Sequence, residues 1–256
     1  MSRVRGWLDS TPLASIALAL MREATGRADP IEAIKPTRPE RLAPTTRVAF
    51  WSLGAGVGTS TTAALVAQRS SAAGHAPLLV DLDRWTPSLA LRAGIESATI
   101  EDALIQPDRE RELVARWSNV PFLAGSPRLH QDFDGARVSA LLERLAHGRA
   151  LVVDLGSGAD ALDAAVVRWL TRLCVVTGGR ASQLQALFCA KPLLRSLSVA
   201  VGVAVVGVAA EDAAIIASRA SLPLLGVIPD DAFLARDEFA ARAPTMRAVD
   251  SLIRAI

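Results

Sequence analysis

The stretch Leu53-Gly54-Ala55-Gly56-Val57-Gly58-Thr59-Ser60-Thr61-Thr62-Ala63 joins an apolar run at 48–53 to an alanine-rich segment beginning near residue 60. A short β-rich run, three spaced glycines and a helical segment read as a strand–turn–helix unit. Glycine at such a turn allows φ > 0, so the backbone can curl its N–H groups around an anion. The N-terminus of the following helix adds the positive end of its dipole. The loop is therefore placed to cradle phosphate, with the hydroxyl of Ser60 or Thr61 suited to a metal ion bound to that phosphate.

Outward from this loop the pattern repeats. Strands are expected at 48–53, 77–82, 120–124, 150–155, 173–177, 199–208 and 224–228. Helices are expected near 60–73, 86–93, 99–116, 134–147, 160–170, 181–195 and 211–220. The strands are continuously apolar, which indicates burial on both faces, as in a parallel sheet. Strand–helix alternation of this kind predicts an α/β fold with a doubly wound, mostly parallel sheet and helices on both faces. In such sheets ligands sit beyond the carboxyl ends of the strands. Three of those ends carry the glycine loop, Asp81 with Asp83, and Asp154. Carboxylates there suit a divalent metal or a positioned water. Asp81 is read as structural, turned away from Asp83.

The remainder of the chain sets limits. With 51% hydrophobic and 21% charged residues, the 256 residues can bury a sizeable core. A net charge of +2 gives no reason to expect nucleic-acid binding. Only Lys35 and Lys191 are lysines, so chemistry that needs a lysine has two candidates. Cys174 and Cys189 are read as buried free thiols, and His75, His130 and His147 lack metal-ligand spacing. No apolar run reaches membrane-spanning length and no signal-peptide plan is evident, so the chain reads as cytoplasmic. Residues 1–46 form a separate segment ahead of a domain at 47–256. Leu13, Ile16, Ala17, Leu20 and Met21 mark a helical stripe, followed by a linker with Pro30, Pro36, Pro39 and Pro44. Residues 1–24 are read either as a strut docked on the main domain or, with Arg3, Arg5 and Trp7 ahead of the stripe, as a peripheral membrane or partner contact, at the inner membrane or cell pole. Met246, Val249, Leu252, Ile253 and Ile256 recur at helical spacing, the mark of a final helix packed on the sheet.

Over about residues 46–240 the set of motifs resembles the MinD/ParA branch of P-loop ATPases, whose loop reads Lys-Gly-Gly-Val-Gly-Lys-Thr-Thr. The resemblance implies a P-loop NTPase fold of the SIMIBI type. It implies nucleotide contacts from Gly56, Val57, Gly58, Thr59, Ser60 and Thr61, a metal held by Ser60 and the Walker B carboxylate Asp154, and a catalytic switch I carboxylate at Asp83. Leu225-Gly226-Val227-Ile228-Pro229-Asp230 is similar to the family's Gly-x-Ile-Pro segment near the base, which adds Pro229. The implied cofactors are ATP and Mg²⁺.

The departures from the family lie where its chemistry is strongest. The phosphate-gripping lysine falls on Thr59, the signature lysine on Gly54 and the leading glycine on Leu53. Replacing an ammonium by a hydroxyl loses a charge-assisted hydrogen bond, about 1.5–3 kcal/mol. Gly56-Val57-Gly58-Thr59-Ser60 resembles the lysine-less loops of the CpaE/TadZ branch, which implies a localisation or assembly protein of pilus or secretion machinery. Such a protein would bind ATP weakly, work through protein partners and form, if any, a nucleotide-independent homodimer. Two alternatives remain: an active ATPase in which an arginine, Arg84 being nearest in sequence, supplies the missing charge, and a Rossmann-like enzyme holding a dinucleotide on Gly54-x-Gly56-x-Gly58.

Overall fold

The computed structural model describes residues 38–131, 133–234 and 241–256. The N-terminal stripe and residues 1–24 lie outside the described residues. The strands are β1 (Arg47–Ser52), β2 (Leu78–Asp81), β3 (Ala115–Trp117), β4 (Val120–Leu123), β5 (Leu151–Ser157), β6 (Arg172–Gly178), β7 (Ala200–Val206) and β8 (Leu224–Ile228). They form one sheet in the order β3-β4-β2-β5-β1-β6-β7-β8. Every pairing is parallel except β3 with β4. The order reverses around β1, so the glycine loop leaves the sheet at a switch point, where crevices for ligands open.

Side chains alternate between the two faces with period two. Ala49 and Trp51 of β1, with Leu151, Val153 and Leu155 of β5, face one core. That core is covered by α3 (Ile100–Ile105), α4 (Gly135–Ala146), α5 (Ala164–Trp169), α6 (Ala181–Arg195) and α7 (Ala210–Ala220). Val48, Phe50 and Val152 face the other, covered by α1 (Thr59–Ala72), α2 (Leu89–Ala93) and α8 (Ala243–Ala255). α8 buries Val249, Leu252 and Ile253, as the spacing predicts. Asp250, between them in sequence, is also buried and makes a bidentate ion pair with Arg69 of α1, both contacts at 2.7 Å.

Three expectations change. The helix expected over 99–116 stops at Ile105, because Pro107 disfavours helical backbone at Gln106. Turns follow, and then β3, an unanticipated edge strand that hairpins onto β4 through Ser118 at φ 53° and Asn119. Residues 38–46 are not merely linker: Leu42 is buried in the α1–α8 core and its N–H donates to Ser70 Oγ at 3.1 Å. Cys174 is buried, but Cys189 is exposed. It falls outside the Leu187, Ala190 and Leu194 stripe with which α6 meets the sheet.

Candidate functional site

The site grows from the end of β1. Gly56 (φ 76°) and Gly58 (φ 91°) take left-handed backbone, which any side chain would strain. Gly58 is the N-cap of α1, and no side chain caps that helix. The N–H groups of Thr59, Ser60 and Thr61 thus open from a helix start without an intrahelical acceptor. A cleft of about 340 Å³ lies over them, lined by Ala55, Gly56, Gly58, Ser60, Thr61 and Arg92 among others. Thr59 also reaches this rim, but its side chain is buried and its hydroxyl donates inward to Ser52 Oγ at 3.1 Å. Ser52 Oγ in turn donates to the Gly54 carbonyl at 2.8 Å. This relay fixes the root of the loop and turns the Thr59 hydroxyl towards the sheet.

The carboxylates converge beside the loop. Asp81 and Asp154 are paired in register on β2 and β5, on the face that carries α1. Both are almost fully buried. Asp154 Oδ1 accepts from the Gly156 N–H at 3.0 Å. Ser60 approaches this carboxylate and favours its charged form, yet Oδ2 has no partner in hydrogen-bonding geometry. Burial, reinforced by the charge of Asp83, raises the Asp154 pKa to about 6, against the lowering effects of Ser60, the Gly156 N–H and Arg92.

Asp83 is packed against Gly156, where an added Cβ would lie 2.3 Å from its carboxylate. It accepts from the N–H groups of Trp85 (3.0 Å) and Thr86 (2.9 Å) and from the Thr86 hydroxyl (3.0 Å). The alternation expected between Asp81 and Asp83 does not apply, because β2 ends at Asp81 and Asp83 lies in the loop beyond it. Asp81 instead accepts from the N–H of Asp83 at 3.1 Å and of Leu89 at 3.1 Å, anchoring the loop and the start of α2. Burial first, and then the charge of Asp154, push its pKa well above the ordinary carboxylate range.

On the other side of Gly56 and Val57 opens a second cleft of about 360 Å³, walled by Gly178, Gly179, Arg180, Val208 and Asp230. Pro229 stands half-buried between Ile228, at the end of β8, and Asp230. The stretch from Gly178 to Arg180 was not singled out in the sequence, although its position at the end of β6 was the available signal. The cations are distributed differently from the sequence expectation. Arg84 pairs with Asp160 at 3.2 Å and lies over the Phe133 ring. Lys191 donates to the Arg219 carbonyl at 2.7 Å, on α6 and away from the loop. Arg92 is the cation that lines the 340 Å³ cleft, and its guanidinium donates to Thr61 Oγ1 at 2.8 Å.

These residues are compatible with a phosphate group and a hard cation. The open N–H groups and helix start suit phosphate, and Ser60 with the unpartnered oxygen of Asp154 offers oxygen ligands. Among the described residues no cluster of three or more His, Cys, Asp and Glu side chains could hold a metal. A cation here would therefore draw on phosphate oxygens and water, as Mg²⁺ commonly does.

No known family's sequence model matches the chain, and no curated protein matches it. Solved structures do. The septum site-determining protein MinD of Pyrococcus horikoshii OT3, complexed with Mg-ADP, aligns with a TM-score of 0.65 at 19% identity, over 81% of this chain and 94% of that one. The cell division ATPase MinD of Pyrococcus furiosus gives 0.66 at 18% identity, over 82% and 98%. A ParA family ATPase from Chlorobium tepidum TLS gives 0.67 at 17% identity, over 85% and 99%. The described chain thus has the fold of the MinD and ParA P-loop ATPases, with the glycine loop, the three carboxylates and Arg92 gathered at the carboxyl end of its sheet.

Proposed function

We propose that this chain is a MinD/ParA-like localisation or assembly protein whose nucleotide site has lost its lysine chemistry, so that ATP–Mg²⁺ is held weakly and hydrolysed negligibly. The observation that carries the reading is Thr59. A cradle with two left-handed glycines and an uncapped helix start has, at the position of the family's phosphate-gripping lysine, a buried hydroxyl that donates to Ser52. Phosphoryl transfer depends on charge stabilisation more than on covalent chemistry, so loss of that ammonium affects turnover more than binding. In this reading Gly56, Val57, Gly58, Ser60 and Thr61 hold phosphate and Thr59 contributes backbone. Ser60 and Asp154 hold the metal, and Pro229 borders the base. A bound Mg²⁺ would neutralise phosphate charge. Asp83 is the residue left to orient a water, and its three hydrogen bonds to its own loop hold its carboxylate in place.

The finer assignment is to the CpaE/TadZ-like branch, in the placement of pilus or secretion machinery, and it rests on the Gly56–Ser60 loop. Protein partners, a homodimer that does not require nucleotide, and a membrane or partner contact through residues 1–24 belong to the same proposal. Calorimetry of the wild-type chain with ATP–Mg²⁺, ADP and NAD, followed by a phosphate-release assay, tests it. ATP binding should be weak and turnover negligible, and Thr59→Lys should tighten ATP several-fold. Equal or poorer ATP binding by a folded Thr59→Lys chain would refute a remnant P-loop, and tight NAD binding would favour a dinucleotide enzyme. Rapid turnover by the wild type would favour the second reading, an active ATPase with a non-lysine phosphate contact. Arg92 in the cleft is the observation on that side.

A further inference from the structure

The lysine-less cradle is not without positive charge. Of the side chains that line the 340 Å³ cleft, Ser52, Thr59, Ser60, Thr61 and Ser157 are neutral hydroxyls, and Arg92 brings the cation. It comes from α2 rather than from the loop itself. Two observations fix it there. Its guanidinium donates to Thr61 Oγ1 at 2.8 Å, in the first turn of α1, where the N–H groups have no intrahelical acceptor. The helix that carries it is anchored at its start by the Leu89 N–H on Asp81 and is ended by Gly94 in left-handed backbone, so Arg92 sits on a short segment fixed at both ends.

We propose that Arg92 is the phosphate-binding cation of this site, contacting the phosphate chain of a nucleoside triphosphate from the α2 side in place of a loop lysine. The inference rests on the reading of the cleft as a phosphate cradle and deepens it. A guanidinium is a planar fork suited to bidentate contact with phosphate oxygens, whereas an ammonium is a point charge. Delivered from a neighbouring helix, it makes phosphate affinity depend on the position of α2, and through the Leu89 contact on Asp81. The opposite role is also concrete: a guanidinium seated on Thr61 could block the cradle, and its removal would then improve binding.

The test uses the full chain and a fluorescent ATP analogue with Mg²⁺, with ATP, inorganic triphosphate and adenosine as competitors. Circular dichroism confirms the fold of each variant. Arg92→Gln should weaken ATP and inorganic triphosphate by roughly tenfold or more and leave adenosine unchanged. Arg92→Lys, which keeps the charge without the fork and serves where Arg92→Gln is poorly folded, should fall between wild type and Arg92→Gln. Wild-type binding of triphosphate with unchanged or tighter binding by both variants overturns the role of Arg92 and leaves the cradle standing. Failure of the wild type to bind ATP or triphosphate at millimolar concentration overturns the cradle itself, and Arg92 as its cation with it.

Discussion

At the scale of single residues the most consequential group is Asp154. Its raised pKa, about 6, has burial as its first cause. A carboxyl whose pKa is higher in the folded than in the unfolded chain binds its proton more tightly when folded. Its favourable contribution is complete below the unfolded value near 4 and is lost as pH rises through about 6. At neutral pH the charged carboxylate therefore costs stability, as expected of a site that retains an unpaired oxygen for a ligand. Asp154→Asn should raise the stability of the metal-free chain at pH 7.5, on the order of 2 kcal/mol, and the gain should shrink at pH 5 and vanish near pH 4. Thermal melts in EDTA at the three pH values measure this. A gain of the same size at all three would mean that the charge of Asp154 is not its origin.

At the scale of elements, α1 and α8 are held together by an ion pair that the sequence disguises. Asp250 falls between Arg247 and Arg254, where it reads as a charge balancing two surface arginines. In the fold it points inward, with its side chain 3% exposed, and meets Arg69 at 12% exposed. The Glu40 N–H also donates to Asp250 Oδ1, at 3.1 Å. Removing one partner of a buried pair leaves the other charge uncompensated, so Asp250→Ala should cost about 3 kcal/mol. Replacing both Arg69 and Asp250 by leucine should cost less than Asp250→Ala alone, because no orphan charge remains. Urea denaturation of the three chains decides this, and a double variant at least as damaged as Asp250→Ala would count against the orphan-charge argument. The α1–α8 pair supports the helix whose first turn lines the 340 Å³ cleft.

At the scale of the whole molecule, the boundary of the folded unit lies earlier than composition suggests. Prolines at 30, 36, 39 and 44 read as a linker up to residue 46. Yet Leu42 fills the α1–α8 core, and Glu40 bonds both Asp250 and Arg254. A chain beginning at residue 38 should keep all of these contacts, and one beginning at 47 should lose them. Loss of the Leu42 side chain from the core is worth about 2 kcal/mol, so the shorter chain should melt several degrees below the longer one. Equal melting of the two would show that residues 38–46 contribute nothing to the core.

Much of this architecture was legible in the residues because it rests on local periodicity. Continuous apolar runs with short glycine turns are stable chiefly in a parallel sheet covered on both faces, and in such a sheet the loop at 53–59, Asp83 and Asp154 must all emerge at the carboxyl end. The Met246 to Ile256 spacing was enough to predict α8. What could not be read is what depends on which neighbour a side chain meets after the chain has folded back. The Thr59 hydroxyl turning to Ser52, Arg92 reaching Thr61 across thirty-one positions, Arg84 drawn off to Asp160, and Asp250 turned inward to Arg69 are all of this kind. The short β3 hairpin escaped for the same reason, because three residues carry too little periodicity to outweigh an apparent helix and only pairing with β4 makes them a strand. Periodic burial of apolar side chains fixes which elements form and where their ends lie, and it is indifferent to the polar atoms. Those find their partners only when the packed helices bring them within hydrogen-bonding distance, and so tertiary packing decided which charge lines the cleft over the glycine loop.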